Sequence, residues 1–288
     1  MKKLMIALLV AAVAMISTPA FAFDLGGYLG PITMKFSGLT RSEDNIQATG
    51  VNGETWGIVA LTDIYKTGVP GPTGKLWSAG QDNEQIYALL YGMTDNGDPI
   101  VNSSEGVTVN LQGGHYVMYI SNDPAHTNEF LFDTPTVYRT GLDEYHTITD
   151  IAGATLFLSG DFGAGILNGD AVTTISQDVT FATTPSTGSG KGYAEVLGGA
   201  YADVFNTGTF VDGSGNAHDL FLDFTLSNPA PSLARTIRNA AGEIIVLNEE
   251  GWDGAIEDPL LANIIPEPTS MLLLGAGLFG LVGFRRKK

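Results

Sequence analysis

The sequence predicts an all-β fold of antiparallel strands, packed as a β-sandwich or a jelly-roll-like body between two terminal segments of different character. Apolar residues alternate with polar ones in several short runs, as in strands with one buried face. Asn-Gly and Asp-Gly pairs separate these runs, and 37 glycines among 288 residues suit many tight turns. Between the two ends, no stretch shows a persistent 3.6-residue periodicity, so helices are expected to contribute little.

The strands can be placed along the chain from their side-chain pattern. Alternation is clearest in four runs: residues 32–36, 154–158, 172–181 and 220–226. Two further runs, residues 86–91 and 116–120, are apolar on both faces. Strands of this kind are buried on both sides, so we expect these two in the middle of a sheet.

Three stretches interrupt the strand pattern. Residues 183–192 (TTPSTGSGKG) are rich in Thr, Ser and Gly, as in an interdomain linker or in a long hairpin loop. We expect one domain over residues 23–250, because the apolar runs beside this stretch are too few for two cores. Residues 235–241 allow a turn or two of helix. The alternation weakens over residues 251–265, which are expected to form a spacer after the body.

The first 22 residues have the features of a secretory signal peptide. Lys2 and Lys3 precede an uninterrupted apolar run over residues 4–16. Ala20 and Ala22 then supply the small residues that signal peptidase requires, so cleavage is expected after Ala22.

The last 23 residues combine three features in a fixed order. The tripeptide Pro266-Glu267-Pro268 is followed by an apolar run without charge, residues 269–284. As a helix these 16 residues would span roughly 24 Å, against a hydrocarbon core of about 30 Å. The run is therefore predicted to be one short transmembrane helix, acting either as a temporary anchor before processing or as a permanent one. A basic cluster follows and is expected to stay in the cytoplasm: Arg285, Arg286, Lys287 and Lys288.

This arrangement resembles the PEP-CTERM sorting domain, which occurs on exported proteins of Gram-negative bacteria that make exopolysaccharide. The resemblance rests on Pro266-Glu267-Pro268, on the glycine-containing apolar run and on the terminal basic cluster, residues 266–288. It implies recognition by an exosortase, a membrane-embedded protease-transpeptidase, with cleavage near the Pro-Glu-Pro. It implies no activity for residues 23–265.

Composition excludes several functions for the part of the chain between the two ends. Residues 23–265 contain 30 of the 31 acidic residues but only 8 of the 14 basic ones, a formal charge of −22. Such a charge favours solubility and disfavours nucleic acid as a partner. The chain has no cysteine, which excludes thiol catalysis and disulfides, so its stability depends on burial.

One loop offers a weak candidate for calcium binding. Asp212, Ser214 and Asn216 present oxygen atoms at alternate positions, and Asp219 follows three residues later. The loop lacks the glycine and the distal glutamate of an EF-hand, so an Asp-Gly hairpin turn is the favoured interpretation. The segment 95–98 (DNGD) is interpreted in the same way. No cofactor is otherwise expected.

Catalytic motifs are missing from the sequence. There is no GxSxG, GxxxxGK[ST] or HExxH pattern. The adjacent carboxylates at residues 143–144 and 249–250 would point to opposite faces of a strand. Structural roles are the default for His115 and His218, and Trp56 and Trp77 lie in strand-like runs that suggest core positions.

The sequence thus favours a non-catalytic protein of the cell envelope or extracellular matrix. Its expected partners are signal peptidase, an exosortase, the inner membrane and exopolysaccharide or biofilm material. After export it is expected to be anchored by its C-terminal helix and then to reach the cell surface or matrix. A carbohydrate-binding module is the alternative, and a secreted glycoside hydrolase or lyase is a third.

Overall fold

The all-β prediction is confirmed by the computed structural model of the chain. The structure describes residues 25–42, 54–69, 71–95, 101–102, 106–121, 154–180, 186–228, 235–238, 244–247, 254–257 and 259–265. Within these ranges the chain forms strands, one α-helix of four residues and one short 3₁₀-helix, Gln81–Asn83, between β3 and β4. In chain order they are β1 Gly30–Ser42, β2 Glu54–Lys66, β3 Lys75–Ser78, β4 Gln85–Asp95, β5 Val101–Asn102, β6 Gly106–Ser121, β7 Thr155–Gly163, β8 Thr173–Thr180, β9 Ser186–Gly198, α1 Ala202–Phe205, β10 Phe210–Val211, β11 Ala217–His218, β12 Leu220–Asn228, β13 Arg235–Arg238, β14 Ile244–Leu247, β15 Gly254–Glu257 and β16 Leu260–Ile264.

The main sheet is antiparallel and closes on itself. From β1 the pairing runs through β2, β4, β6, β7 with β8, β9 and β12 to β15 with β16. The last two strands pair with β12 on one side and with β1 on the other. The strands therefore form one closed sheet, not the two facing sheets of the expected β-sandwich or jelly roll. Closure follows from β1, which has hydrogen-bonded neighbours on both sides.

Three positions around the closed sheet are each occupied by consecutive strands that run in the same direction. The position between β2 and β6 holds β3, β4 and β5, of which β3 and β4 pair with β2 and β4 and β5 pair with β6. β7 and β8 both lie between β6 and β9. β15 and β16 share the position between β12 and β1. Counted this way, the described strands fill eight positions. The chain leaves the sheet between the paired strands, at residues 79–84 and 164–172.

The expected spacer at residues 251–265 is instead largely part of the closed sheet. Gly254–Glu257 and Leu260–Ile264 form β15 and β16. Leu260, Ala262 and Ile264 alternate with residues of greater exposure and are buried in the core. The sequence pattern looked weak because each strand is only four or five residues long, too short for a clear period of two.

Where the structure describes it, the glycine-rich stretch at residues 183–192 is neither the interdomain linker nor the long hairpin loop expected from the sequence. Residues 186–192 are the first half of β9, while residues 183–185 lie outside the described ranges. Gly188, Gly190 and Gly192 are in phase with Ala194, which belongs to the core. A β-carbon on Gly190 would lie 2.3 Å from the ring of Phe224. Glycine is therefore needed here for inward packing.

The predicted helical turn at residues 235–241 is not observed where the structure describes it. Arg235–Arg238 form β13, which pairs with β14 as a separate two-stranded ladder.

The two doubly apolar runs, residues 86–91 and 116–120, are confirmed as central strands. β4 lies between β2 and β6, and β6 lies between β4 and the β7–β8 pair.

The core lies inside the closed sheet and continues to its lower end, defined as the end where β1 begins and β16 finishes. There Phe205 of α1 is fully buried, and its ring meets that of Phe157 edge to face at 5.7 Å. A second buried cluster occupies the other face of β2, β4 and β6, around Trp56 and Leu89. The opposite end, where β1 finishes and β15 begins, is called the upper end below.

Replacing Gly190 by valine tests the inward packing of β9. The added side chain would collide with Phe224, so we expect the free energy of unfolding to fall by about 1–3 kcal/mol in urea denaturation. Ser189→Val on the exposed face of the same strand is the matched control and should change stability little. The double variant Gly190→Val/Phe224→Ala should lose less free energy of unfolding than the sum of the losses in the two single variants. Equal stability of the Gly190 and Ser189 variants would contradict this packing.

Candidate functional site

The predicted sorting segment begins where the described body ends. Ile265 follows β16, and its backbone N–H donates to the carbonyl oxygen of Val204 at 3.2 Å. Pro266, Glu267 and Pro268 come directly after it and lie outside the described residues. So do the predicted transmembrane helix at 269–284, the basic cluster at 285–288 and the signal-cleavage residues Ala20 and Ala22. Within the described ranges, no helix combines the length and apolar character needed to cross a membrane.

Both ends of the described body lie close together at the lower end of the closed sheet. Gly30, the first residue of β1, pairs with Ile264, the last residue of β16. β16 is also bonded to β12 along its other edge. The attachment point of the sorting segment is therefore held on both sides by the sheet.

The calcium candidate is a hydrogen-bonded turn centred on the carboxylate of Asp212. Its Oδ1 accepts the backbone N–H groups of Ser214 and Asn216, each at 2.8 Å. Its Oδ2 accepts the side-chain amide of Asn216, also at 2.8 Å. Both carboxylate oxygens thus serve to order the loop, and a cation would have to compete with these donors.

The hydrogen bonds of this loop also set the acidity of Asp212. Donation by the side chain and backbone of Asn216 and by the backbone of Ser214 lowers the pKa of Asp212 from 3.8 to about 2.

Asp219 also orders backbone groups through its carboxylate. Its buried carboxylate accepts the backbone N–H groups of Thr207, Gly208 and Val196 at 2.6–2.8 Å.

A row of polar side chains crosses the outer face of the sheet over four neighbouring strands. Tyr91, His115, Asp161 and Glu195 are successive cross-strand partners on β4, β6, β7 and β9. The Nδ1 atom of His115 lies 2.6 Å from Asp161 Oδ1. His218 extends the row, with its Nδ1 atom 2.5 Å from Glu195 Oε1. We call these five residues the outer row.

Aromatic rings continue from the outer row onto the neighbouring strands. Tyr193 stacks on His218 with ring centroids 4.5 Å apart and planes 10° apart. The ring centroids of Tyr193 and Phe221 are 5.3 Å apart, and those of Phe221 and Phe210 are 6.1 Å apart. Tyr193, Phe221 and Phe210 are half-buried, so part of each ring faces solvent. These three residues are called the aromatic strip.

Sequence reasoning missed the outer row and the aromatic strip. Their members are as far apart in the chain as Tyr91 and His218, a separation of 127 residues, and are brought together only by strand register. His115 and His218 were expected to be structural, and His218 is indeed buried, whereas the His115 side chain is 51% exposed. Among the described residues, no group of three or more His, Cys, Asp or Glu side chains is arranged to hold a metal ion.

Other residues considered from sequence fall into the core or outside the described ranges. Trp56 and Trp77 are each 1% exposed, which confirms the core prediction. The Trp77 indole donates to the buried carboxylate of Glu84 at 3.1 Å. The carboxylate pairs at 143–144 and 249–250, and residues 96–98 of the second turn, are not among the described residues.

The last strand of the closed sheet thus ends at Ile264, two residues before the predicted sorting tripeptide begins at Pro266. Comparison with family models supports the predicted sorting segment, because the PEP-CTERM protein-sorting motif matches residues 265–287. The chain is therefore a PEP-CTERM domain-containing protein, a class that implies export, sorting to the cell envelope and an exosortase partner. Searches of curated proteins and of solved structures found no match.

Asp212→Asn tests the role of this carboxylate in ordering its loop. Because its pKa is lowered on folding, the ionised group stabilises the protein above pH 3.8, and this contribution disappears as pH falls through about 2. We expect Asp212→Asn to be less stable than the wild type at pH 7, with the difference shrinking between pH 4 and about 2. Urea denaturation across this range measures it.

The matched control is Ser214→Ala, which keeps the backbone N–H that Asp212 accepts. It should retain the wild-type pH dependence, and a flattened profile for this control would argue against the role given to Asp212.

Thermal melting with calcium and with EGTA tests the calcium expectation, because a specific calcium site would raise the melting temperature of the wild type by several degrees.

Proposed function

We propose that this chain is a non-catalytic protein of the cell envelope or extracellular matrix, sorted and processed by an exosortase at Pro266, Glu267 and Pro268. The match to the sorting motif is the observation that carries the proposal. The acidic, cysteine-free body and the lack of a catalytic motif in the sequence support a display or matrix role. Association with exopolysaccharide or biofilm material belongs to the same proposal.

The geometry of β16 limits where processing can take place. This strand is bonded to β1 and to β12, and Ile265 is bonded to Val204. A protease needs an extended segment free of such pairing, so cleavage within residues 260–265 would require local unfolding of the sheet. Cleavage is therefore proposed to occur C-terminal to Ile265, which leaves the closed sheet whole.

The route to the final location follows from the two terminal segments. Signal peptidase would remove residues 1–22, and residues 269–284 would hold the exported body at the inner membrane. The lower end of the sheet, which carries both Gly30 and Ile264, would then face the membrane. Processing would pass the body to the cell surface or matrix. With its formal charge of −22, the body is not proposed to bind nucleic acid.

Replacing Pro266, Glu267 and Pro268 together by alanine tests the sorting proposal. Intact-mass analysis of protein from the native host should show a wild-type form that begins at Phe23 and ends near Pro266. The triple variant should retain Lys288 and accumulate in the membrane fraction. Pro72→Ala, an exposed proline in the loop between β2 and β3, is the control and should be processed normally. A wild-type mass that still includes Lys288 would show a permanent anchor and end the sorting proposal.

Carbohydrate binding is the second candidate function, favoured by the aromatic strip. Partly exposed aromatic rings can stack on sugar faces, and neighbouring carboxylates such as Glu195 and Asp161 can accept bonds from sugar hydroxyls. The two residues are cross-strand partners on β7 and β9. This arrangement also keeps a glycoside hydrolase as a third candidate, since such enzymes use paired carboxylates.

A glycan array distinguishes these candidates. If the strip binds sugar, Tyr193→Ala and Phe221→Ala should each weaken binding at least tenfold, because about 1.4 kcal/mol of stacking is lost. Tyr65→Ala removes a half-buried tyrosine from β2, which carries no residue of the outer row or the aromatic strip, and is the matched control. Absence of binding to any glycan would reject this candidate. Hydrolysis of a bound glycan that is lost in Glu195→Gln would instead indicate a glycosidase.

A further inference from the structure

The inside of the closed sheet contains a cavity of about 270 Å³ toward its upper end. Side chains from β1, β2, β4, β6, β7, β8, β9, β12, β15 and β16 form its wall, so it is a feature of the whole sheet. Closed sheets of about eight strands have an interior just wide enough for packed side chains or one small ligand.

The wall of the cavity is apolar over most of its surface, and none of the described residues that line it carries a charged side chain. Its larger members are Phe36, Met93, Tyr116, Met118, Phe162 and Phe224. Tyr116 contributes its ring, because its hydroxyl donates to the backbone carbonyl of Glu195 at 3.0 Å. Burial of this tyrosine also raises its pKa, which keeps the phenol neutral. An apolar wall of this kind binds apolar matter better than water.

Small side chains on two strands create the space. Ala88 on β4 and Ala194 on β9 line the cavity and are almost fully buried. Both occupy inward positions, where a larger apolar residue would reach into the cavity. The space is therefore a result of side-chain choice at specific inward positions, and it can be filled by single substitutions.

Polar side chains are confined to one end of the cavity. Thr40, Thr55, Gln177 and Ser227 line it where β1, β8 and β12 approach their final residues and β2 begins, which is the upper end. Hydroxyl and amide groups in these positions can exchange hydrogen bonds with a neutral polar group. The part of the wall that the structure describes offers no cation to compensate a buried carboxylate or phosphate, so a charged head group is disfavoured.

We propose that this cavity binds a small, neutral amphipathic molecule, with an aliphatic or aromatic body inside and a hydroxyl or amide group at the upper end. The volume suits a molecule of roughly ten non-hydrogen atoms, at the lower limit of typical ligand pockets. The upper end is the one opposite Ile265, so the ligand would enter from the side facing away from the sorting segment. The proposal adds a binding activity to the body and does not depend on how the chain is sorted.

Methionine methyl groups provide a direct test, using the exported protein recovered from a host grown with [methyl-¹³C]methionine. Met93 and Met118 line the cavity, whereas Met34 is buried in the core outside it. Titration with 1-octanol should shift the Met93 and Met118 signals in a saturable manner and leave Met34 unchanged. Met93→Leu and Met118→Leu assign the signals. Octanoate at pH 8 should bind at least tenfold more weakly than 1-octanol.

Filling the cavity should abolish binding. Ala194→Phe places a ring inside it, and we expect the octanol affinity to fall at least tenfold. Leu197→Phe adds a ring on the same strand at a position that is 67% exposed, so it should bind as the wild type does. Ala88→Leu fills the space from the opposite wall and replaces Ala194→Phe if that variant fails to fold.

Three results would overturn the proposal. One is the absence of any shift at Met93 and Met118, and another is an equal shift at Met34, which would indicate nonspecific solvation. The third is unchanged affinity in a folded cavity-filling variant. Equal affinity for octanol and octanoate would overturn the neutral character of the ligand. None of these results depends on C-terminal processing, so failure here is distinct from failure of the sorting proposal.

Discussion

The double pairing of β1 closes the sheet, and the core, the cavity and the position of the chain's last described strand all follow from that closure. The residues of β1 bond to β2 on one side and to β15 and β16 on the other, and this turns a long antiparallel sheet into a closed one. Closure removes the exposed edges that an open sheet would offer to other chains. It also encloses a core without any disulfide, which matters for a chain that has no cysteine and is exported.

Closure also connects the body to its sorting segment. The strands that complete the sheet, β15 and β16, are the last strands before Pro266, so the closing pairs and the attachment point are the same part of the chain. Loss of these residues would open the sheet between β12 and β1. Cleavage would therefore have to fall beyond Ile265 to leave the closed sheet whole, and the cavity lies at the end of the sheet away from that point.

Buried and half-buried carboxylates organise the polar side of the molecule. Asp219 fixes three backbone N–H groups at the ends of β9 and α1, and Asp212 fixes the turn before β11. Glu195 and Asp161 instead lie in the outer row, each paired with a histidine. A strongly acidic composition therefore serves two purposes, because some carboxylates shape loops while others form a hydrogen-bonding surface.

Sequence reasoning alone predicts the all-β class, the central positions of β4 and β6, the core placement of Trp56 and Trp77, and the sorting segment. These are local properties, set by side-chain period, by composition or by a contiguous motif. Other features emerge only in the folded chain: sheet closure, the strands at residues 186–192, 254–257 and 260–264, the outer row and the cavity. The physical reason is that register between distant strands decides which side chains meet, and Gly190 shows this most clearly. The composition of the stretch around Gly190 suggests a linker, but the position of Gly190 opposite Phe224 makes this glycine part of a packed wall.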